Sequence, residues 1–283
     1  MMKAKRSNWS GKLGFILAAS GSAVGLANIW KFPYMTGTNG GGAFVCVYLL
    51  CILLIGWPSL IAELYIGQQG QGNPKAAFEN LRGKKTLWRF VGLASVCCAF
   101  IILSFYSVIG GWVLDFQVRS ILNEFHSLSD KEISTSLSKL FQNPGRQVGF
   151  MFLFLVLSGA MIITGVQKGV ERWNKVLMPT LFLILIGLFC YSFTLPGFSQ
   201  ALHFLFYFDL AKLNINTVLE AMGLAFFTLS VGCGIMLTFG SYLNKATYLP
   251  SATVPVVLID TFIALLFGVV IFSAVFSYEA VEV

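Results

Sequence analysis

The sequence has 283 residues, of which 57% are apolar and 11% charged, and it carries 27 Phe. A soluble domain is roughly 25% charged, so a chain with a mean hydropathy of +0.78 has too little polar surface to cover itself in water, and the composition points to a polytopic membrane protein. A net charge of +7 would suggest nucleic acid in a soluble chain, but here the basic residues fall in short gaps between apolar runs and read as membrane topology, so no nucleic-acid partner is expected.

A spanning helix takes about 20 mainly apolar residues. By that measure the chain holds spans over 13–35, 43–67, 89–115, 148–166, 175–195, 217–243 and 252–277. The first apolar run continues past Gly14 without a small-residue cleavage site, so it reads as a span and not a signal peptide. The longest connection, 117–147, includes Glu124, Asp130, Lys131, Glu132 and Asn143-Pro144-Gly145. The stretch 196–216 reads as interfacial, aromatic around Phe204 and Phe206 and then polar at Asp209 and Lys212. A cytoplasmic N-terminus places 13 Lys and Arg inside and 6 outside, which satisfies the positive-inside rule and leaves the C-terminus outside. Cys46, Cys51, Cys97, Cys98, Cys190 and Cys233 have no metal-like spacing and are expected to be buried, reduced thiols.

Two spans do not read as ordinary helices. The first contains Gly21-Ser22-Ala23-Val24-Gly25-Leu26-Ala27-Asn28 and the sixth Thr228-Leu229-Ser230-Val231-Gly232-Cys233-Gly234, each with apolar flanks. Gly lowers helix preference, and Ser, Thr and Asn offer oxygens where the hydrogen-bond ladder opens. Small residues also line ordinary helix contacts in membranes. Two such segments, each opening a five-helix unit, point instead to the midplane binding site of a transporter, where freed carbonyls suit a cation and half-helix N-termini suit a carboxylate. Among intramembrane carboxylates, Asp260 is a functional candidate, and Glu63 either serves function or pins a neighbouring backbone. Tyr106 alone reads as a packed aromatic. Enzyme signatures are absent: Thr38-Asn39-Gly40-Gly41-Gly42 lacks the following Lys-Ser/Thr of a phosphate loop, and neither H-E-x-x-H nor G-x-S-x-G occurs.

The run Trp9 to Gly42, with Ala23-Val24-Gly25-Leu26-Ala27-Asn28-Ile29-Trp30-Lys31-Phe32-Pro33-Tyr34 at its core and Asn39-Gly40-Gly41-Gly42-Ala43-Phe44 behind it, resembles the neurotransmitter:sodium symporter family. Gly56-Trp57-Pro58, Glu63 and Gly67-Gln68 are similar as well, as are Phe105-Tyr106-Ser107 and Phe226-Phe227-Thr228-Leu229-Ser230-Val231-Gly232. The resemblance runs along the whole chain. It implies an all-α, inverted-repeat transporter fold with helices one and six broken. The family has twelve spans, with helices one to five and six to ten as repeats. This chain is similar to helices one to seven, so 1–283 would form one transmembrane domain, with 13–195 the complete first repeat and 217–277 the first two helices of the second.

The resemblance implies a sodium-coupled symporter of an amino acid, working by alternating access in a plasma or inner membrane, with no organic cofactor. One sodium site would use the Ala23 carbonyl, the Asn28 amide oxygen, Thr228 and Asp260, completed by the substrate carboxylate. A second would use the carbonyls of Gly21 and Val24, with its other ligands on helix eight. Substrate contacts would come from Ala23, Gly25, Ala27, Tyr106, Phe227, Thr228, Ser230 and Cys233. Arg6 and Trp9, with Tyr242 beside them, match the inner gate, and Lys31 and Tyr106 the outer one; their acidic partners would lie on helices eight and ten. Gly25 stands where monoamine carriers place Asp, so the substrate must bring its own carboxylate, which favours an amino acid. Cys233 replaces a bulkier side chain, which suits a large apolar or aromatic one among the neutral amino acids. Chloride-dependent members hold the anion with polar side chains; Tyr48 and Thr228 match them, but Leu224 and Ala264 cannot donate to an anion. Asp260 stands where many relatives have Asn and supplies a negative charge beside sodium, so chloride independence is expected. Ala27 replaces a usual Gly, and Lys31 replaces Arg, giving a point charge in place of a forked donor. The competing expectation is a truncated, non-transporting remnant, or one half of a split carrier completed by a separate chain.

Overall fold

The computed structural model describes residues 8–129, 132, 133, 135–209 and 213–278, and every regular element among them is helical. Apart from a short 3-10 turn at Glu124–Ser127, these are in chain order α1 (Lys12–Ala23), α2 (Ala27–Thr38), α3 (Gly42–Gly70), α4 (Pro74–Arg82), α5 (Trp88–Ile121), α6 (Ser136–Phe141), α7 (Pro144–Ile163), α8 (Gly169–Ser192), α9 (Phe198–Phe206), α10 (Ile215–Thr228), α11 (Ile235–Gly240) and α12 (Leu249–Ser277). By length and composition α3, α5, α7, α8 and α12 can each cross a membrane, and α1 with α2 forms a sixth span bent by 47°. The remaining predicted span, 217–243, is α10 and α11 with Leu229–Gly234 unwound between them. The predicted interfacial stretch contains α9, whose Ala201 and Leu205 are buried.

Local chemistry explains where the helices start. Asn73, Asn143 and Asn214 each accept a backbone N–H of the first turn, and the first two are followed by Pro, whose missing N–H costs nothing there. Within the spans the apolar side chains repeat without a polar stripe, because a helix in lipid needs only its own backbone ladder satisfied.

The chain divides into two compact units, one of 8–96 with 171–278 and one of 97–170. In the first, Phe32, Phe44, Tyr48, Leu205, Leu224 and Phe272 pack together and join α2, α3, α9, α10 and α12. Val24, Met178, Leu185, Ile263 and Phe267 form a separate cluster that joins the end of α1 to α8 and α12. In the second unit, buried Asp115 pairs with Arg146, and the Trp112 indole donates to Gln147 at 3.1 Å. All six cysteines are free thiols. Their expected burial holds for Cys51 and Cys233 but not for Cys97, Cys98 and Cys190, which are exposed on the apolar flanks of α5 and α8. A face that meets lipid tolerates a thiol as readily as a core does, so apolar neighbours in sequence did not imply burial.

Candidate functional site

The first break begins where α1 ends. Val24 takes an extended conformation with ψ of 114°, and its N–H makes the last α1 bond, to the Ser20 carbonyl at 2.7 Å. The Gly25 N–H then turns away from the helix and donates to the Asn28 side-chain oxygen at 3.1 Å. Asn28 is wholly buried, and its amide nitrogen donates to the Asp260 side chain at 2.8 Å and the Asp260 carbonyl at 3.1 Å. Its oxygen therefore faces the first break.

Asp260 is also fully buried, midway along α12. One carboxyl oxygen takes the Asn28 bond; the other, Oδ2, is buried and has no hydrogen-bond partner among the described residues. Beside it, the buried Thr228 and Tyr48 hydroxyls lie 3.2 Å apart, close enough to the carboxyl to interact with it electrostatically. An orphaned carboxylate oxygen costs free energy unless a ligand meets it. Among the described residues no three His, Cys, Asp or Glu side chains gather. The oxygens on offer are one carboxylate, an amide, a hydroxyl and freed carbonyls, a hard, singly charged set suited to an alkali cation and not to a transition metal.

The second break follows Thr228. Ser230 (φ 55°), Gly232 (φ 92°) and Gly234 (φ 73°) turn the chain through left-handed conformations before α11 starts. Ser230 joins the two breaks: its hydroxyl donates to the Ser22 carbonyl at 3.0 Å. The Cys233 thiol donates to the Ser230 carbonyl at 3.4 Å. Glu63 accepts the Gly232 N–H at 2.6 Å, so the carboxylate on α3 pins the unwound backbone, one of the two roles open to it from the sequence. Glu63→Ala is expected to destabilise the protein by about 1.5–3 kcal/mol, the range for a hydrogen bond to a charged group, while Glu63→Gln loses less because it still accepts the N–H. Thermal unfolding of the two variants checks this.

The other sequence candidates lie as follows. Lys31 lies with its ammonium 4.3 Å from the centre of the Phe227 ring. The Trp9 indole donates to the Phe239 carbonyl at 3.1 Å, its main-chain N–H donates to the Tyr242 carbonyl at 3.2 Å, and its ring meets Phe239 and Tyr242 edge-on. Ala23, Val24 and Ala27 are buried at the first break, and the Asn174 amide lies against Gly21. Tyr106 lies on α5 in the 97–170 unit. Arg6 lies outside the described residues. Sequence reasoning missed Glu171, a buried carboxylate at the start of α8 bonded to Ser10 and Lys175. It also missed the 2.6 Å bond from Asn39, just past the end of α2, to Glu220 on α10.

A family model described as the Sodium:neurotransmitter symporter family matches residues 6–136 and 122–283. The chain is 39% identical over 278 residues to the uncharacterized sodium-dependent transporter YhdH of Bacillus subtilis (strain 168), covering 98% of this chain and 61% of that protein. It is 29% identical to the sodium-dependent neutral amino acid transporter B(0)AT3 of Rattus norvegicus, covering 95% of this chain and 48% of that protein. The crystal structure of MhsT in complex with L-phenylalanine matches with a TM-score of 0.91 and 43% identity, over 97% of this chain and 62% of that one. The chain therefore spans at most about three-fifths of the length of these relatives.

Proposed function

Because the chain belongs to the sodium:neurotransmitter symporter family, a family of sodium-dependent transporters and not enzymes, we propose that it binds sodium together with a neutral amino acid and moves both by alternating access. It is an integral, multi-pass membrane protein. The observation that carries the proposal is the buried, unpartnered Asp260 Oδ2 beside the Asn28 oxygen, at the meeting point of two unwound segments. Sodium at that point would take Asp260 Oδ2, Asn28 Oδ1, the Thr228 hydroxyl and the Ala23 carbonyl, and the substrate carboxylate would complete its shell. Gly25 leaves the first break without an anion of its own, so the substrate supplies it. Ala27, Phe227, Ser230 and Cys233 would line the pocket. The neighbours named for neutral amino acids and for bound L-phenylalanine support this substrate class, and the short Cys233 side chain favours a large apolar or aromatic member of it.

Each sodium ion entering down a membrane potential contributes ~2.3 kcal/mol per 100 mV. The excess of Lys and Arg favours a cytoplasmic N-terminus. Trp9, with Arg6 and Tyr242, would then seal the inner path, and Lys31 over Phe227 the outer. The remaining ligands of a second sodium at Gly21 and Val24, and the acidic gate partners, would come from helices beyond these seven, in the same polypeptide or a separate one. Leu224 and Ala264 offer no donor to an anion and Asp260 already supplies negative charge, so chloride plays no part.

Equilibrium binding of labelled L-phenylalanine to the purified protein tests the proposal. Binding is expected in sodium chloride and equally in sodium gluconate, and is expected to vanish in potassium gluconate. Binding that needs chloride overturns the assignment of Asp260, and binding indifferent to sodium overturns the proposal as a whole.

A further inference from the structure

Residues 9 and 10 are anchored to different helices. Trp9 is bonded to the Phe239 and Tyr242 carbonyls at and just beyond the end of α11. Ser10 is bonded to α8: its N–H donates to Glu171 Oε2 at 3.1 Å, and its hydroxyl donates to Glu171 Oε1. Lys175, one turn along α8, closes the cluster with its ammonium 2.7 Å from Glu171 Oε1 and 3.3 Å from the Ser10 hydroxyl. Glu171 is only 2% exposed.

The carboxylate also answers a need of α1. That helix begins at Lys12 after Gly11, with no side-chain cap and no acidic residue in its first turn. The first N–H groups of a helix are unsatisfied and carry partial positive charge, which an anion stabilises. Glu171 supplies that anion from another helix. Gly14 makes room for it, because a Cβ there would collide with the Glu171 carboxyl. The entry to α1 is thus strapped to α8 through the buried Glu171 carboxylate and to α11 through Trp9. Moving the first half of α1 away from α8 requires both anchors to release.

We propose that Glu171 is a positioning residue: through Ser10 it holds Trp9 on Phe239 and Tyr242, and so keeps closed the end of the protein that carries the N-terminus. The role rests on the alternating-access reading, in which that end must open and shut. The latch predicts a local effect, whereas a merely structural carboxylate would loosen the whole protein.

Hydrogen–deuterium exchange of the full chain in detergent, read by mass spectrometry without sodium or amino acid, separates the two. Glu171→Gln keeps the shape and removes the charge. Ser10→Ala removes the hydroxyl and leaves α8 untouched. Each is expected to speed exchange over residues 9–15 by about tenfold, the loss of a charge-assisted bond, with exchange over 249–277 unchanged. The double variant is expected to be faster than either single one by less than the product of the two effects, because both touch the Ser10 hydroxyl–Glu171 bond. Unchanged exchange over 9–15 in either variant, or acceleration throughout the chain, overturns the proposal. Because no sodium is present, failure of sodium-dependent binding with the latch response intact counts against the transport reading alone.

Discussion

Replacing Asp260 with Asn is expected to raise the sodium concentration needed for half-maximal amino-acid binding by about two to three orders of magnitude. A unit charge ~4 Å from a cation is worth ~4 kcal/mol at an effective dielectric of about 20, and each 1.4 kcal/mol is a factor of about ten. Asn is nearly isosteric with Asp, so the fold and the bond to Asn28 persist in altered form while the negative charge beside the cation is lost. Chloride is not expected to rescue the variant, since Leu224 and Ala264 offer an anion no donor. Sodium titrations of both proteins, in chloride and in gluconate, check the shift and the absence of rescue. An Asn28→Ala change should act in the same direction but less strongly. It removes a neutral ligand and leaves Asp260 without its one hydrogen bond to a side chain of α2.

Gly67→Val and Gly240→Val are each expected to destabilise the protein by about 3 kcal/mol or more, at or above the usual cost of overpacking. The short helix α11 is held against α3 by a reciprocal contact. A Cβ at Gly67 would fall on the Leu237 carbonyl, and a Cβ at Gly240 would fall on the Leu64 carbonyl. Each glycine thus faces the backbone three residues before the other, and backbone cannot swing aside as a side chain can. A six-residue helix does not hold itself together in isolation, so this crossing fixes where α11 lies. That in turn fixes the Phe239 and Tyr242 carbonyls on which Trp9 rests. Gly187→Ala in α8, where a Cβ meets nothing within 4 Å, serves as the control and should be neutral or stabilising by up to about 1 kcal/mol. Thermal unfolding of the three variants is the measurement, with the apparent midpoint expected to fall by about 10 °C in the first two.

The sequence makes both breaks legible because their residues conflict with their surroundings. A cluster of Gly, Ser and Asn within an apolar run cannot satisfy a helical ladder cheaply in lipid, so Gly21–Asn28 and Thr228–Gly234 stand out without any structure. Asp260 stands out for the same reason, as a charge where charge is expensive. The partner of each group is harder to read. Glu63 could be singled out, but its bond to Gly232 joins positions far apart in the chain with no local signal. Glu171 sits among Lys168, Arg172 and Lys175, where charge reads as loop topology, and only the folded chain shows that it is buried against Ser10. The Gly67–Gly240 crossing is invisible for a related reason: each glycine alone is ordinary in a membrane helix, and the fold alone brings them face to face. Cys97, Cys98 and Cys190 show the converse, since apolar flanks cannot tell a protein core from a lipid-facing surface.

The most direct test of sodium coupling is uptake of labelled L-phenylalanine into proteoliposomes that contain the purified protein. An inward sodium gradient is imposed with gluconate as the only external anion. The predicted result is accumulation above equilibrium that collapses when the gradient is dissipated and is absent when potassium replaces sodium. Equal uptake in sodium and potassium, or none in either from protein that binds the amino acid, would contradict the assignment of this chain as a sodium-coupled carrier.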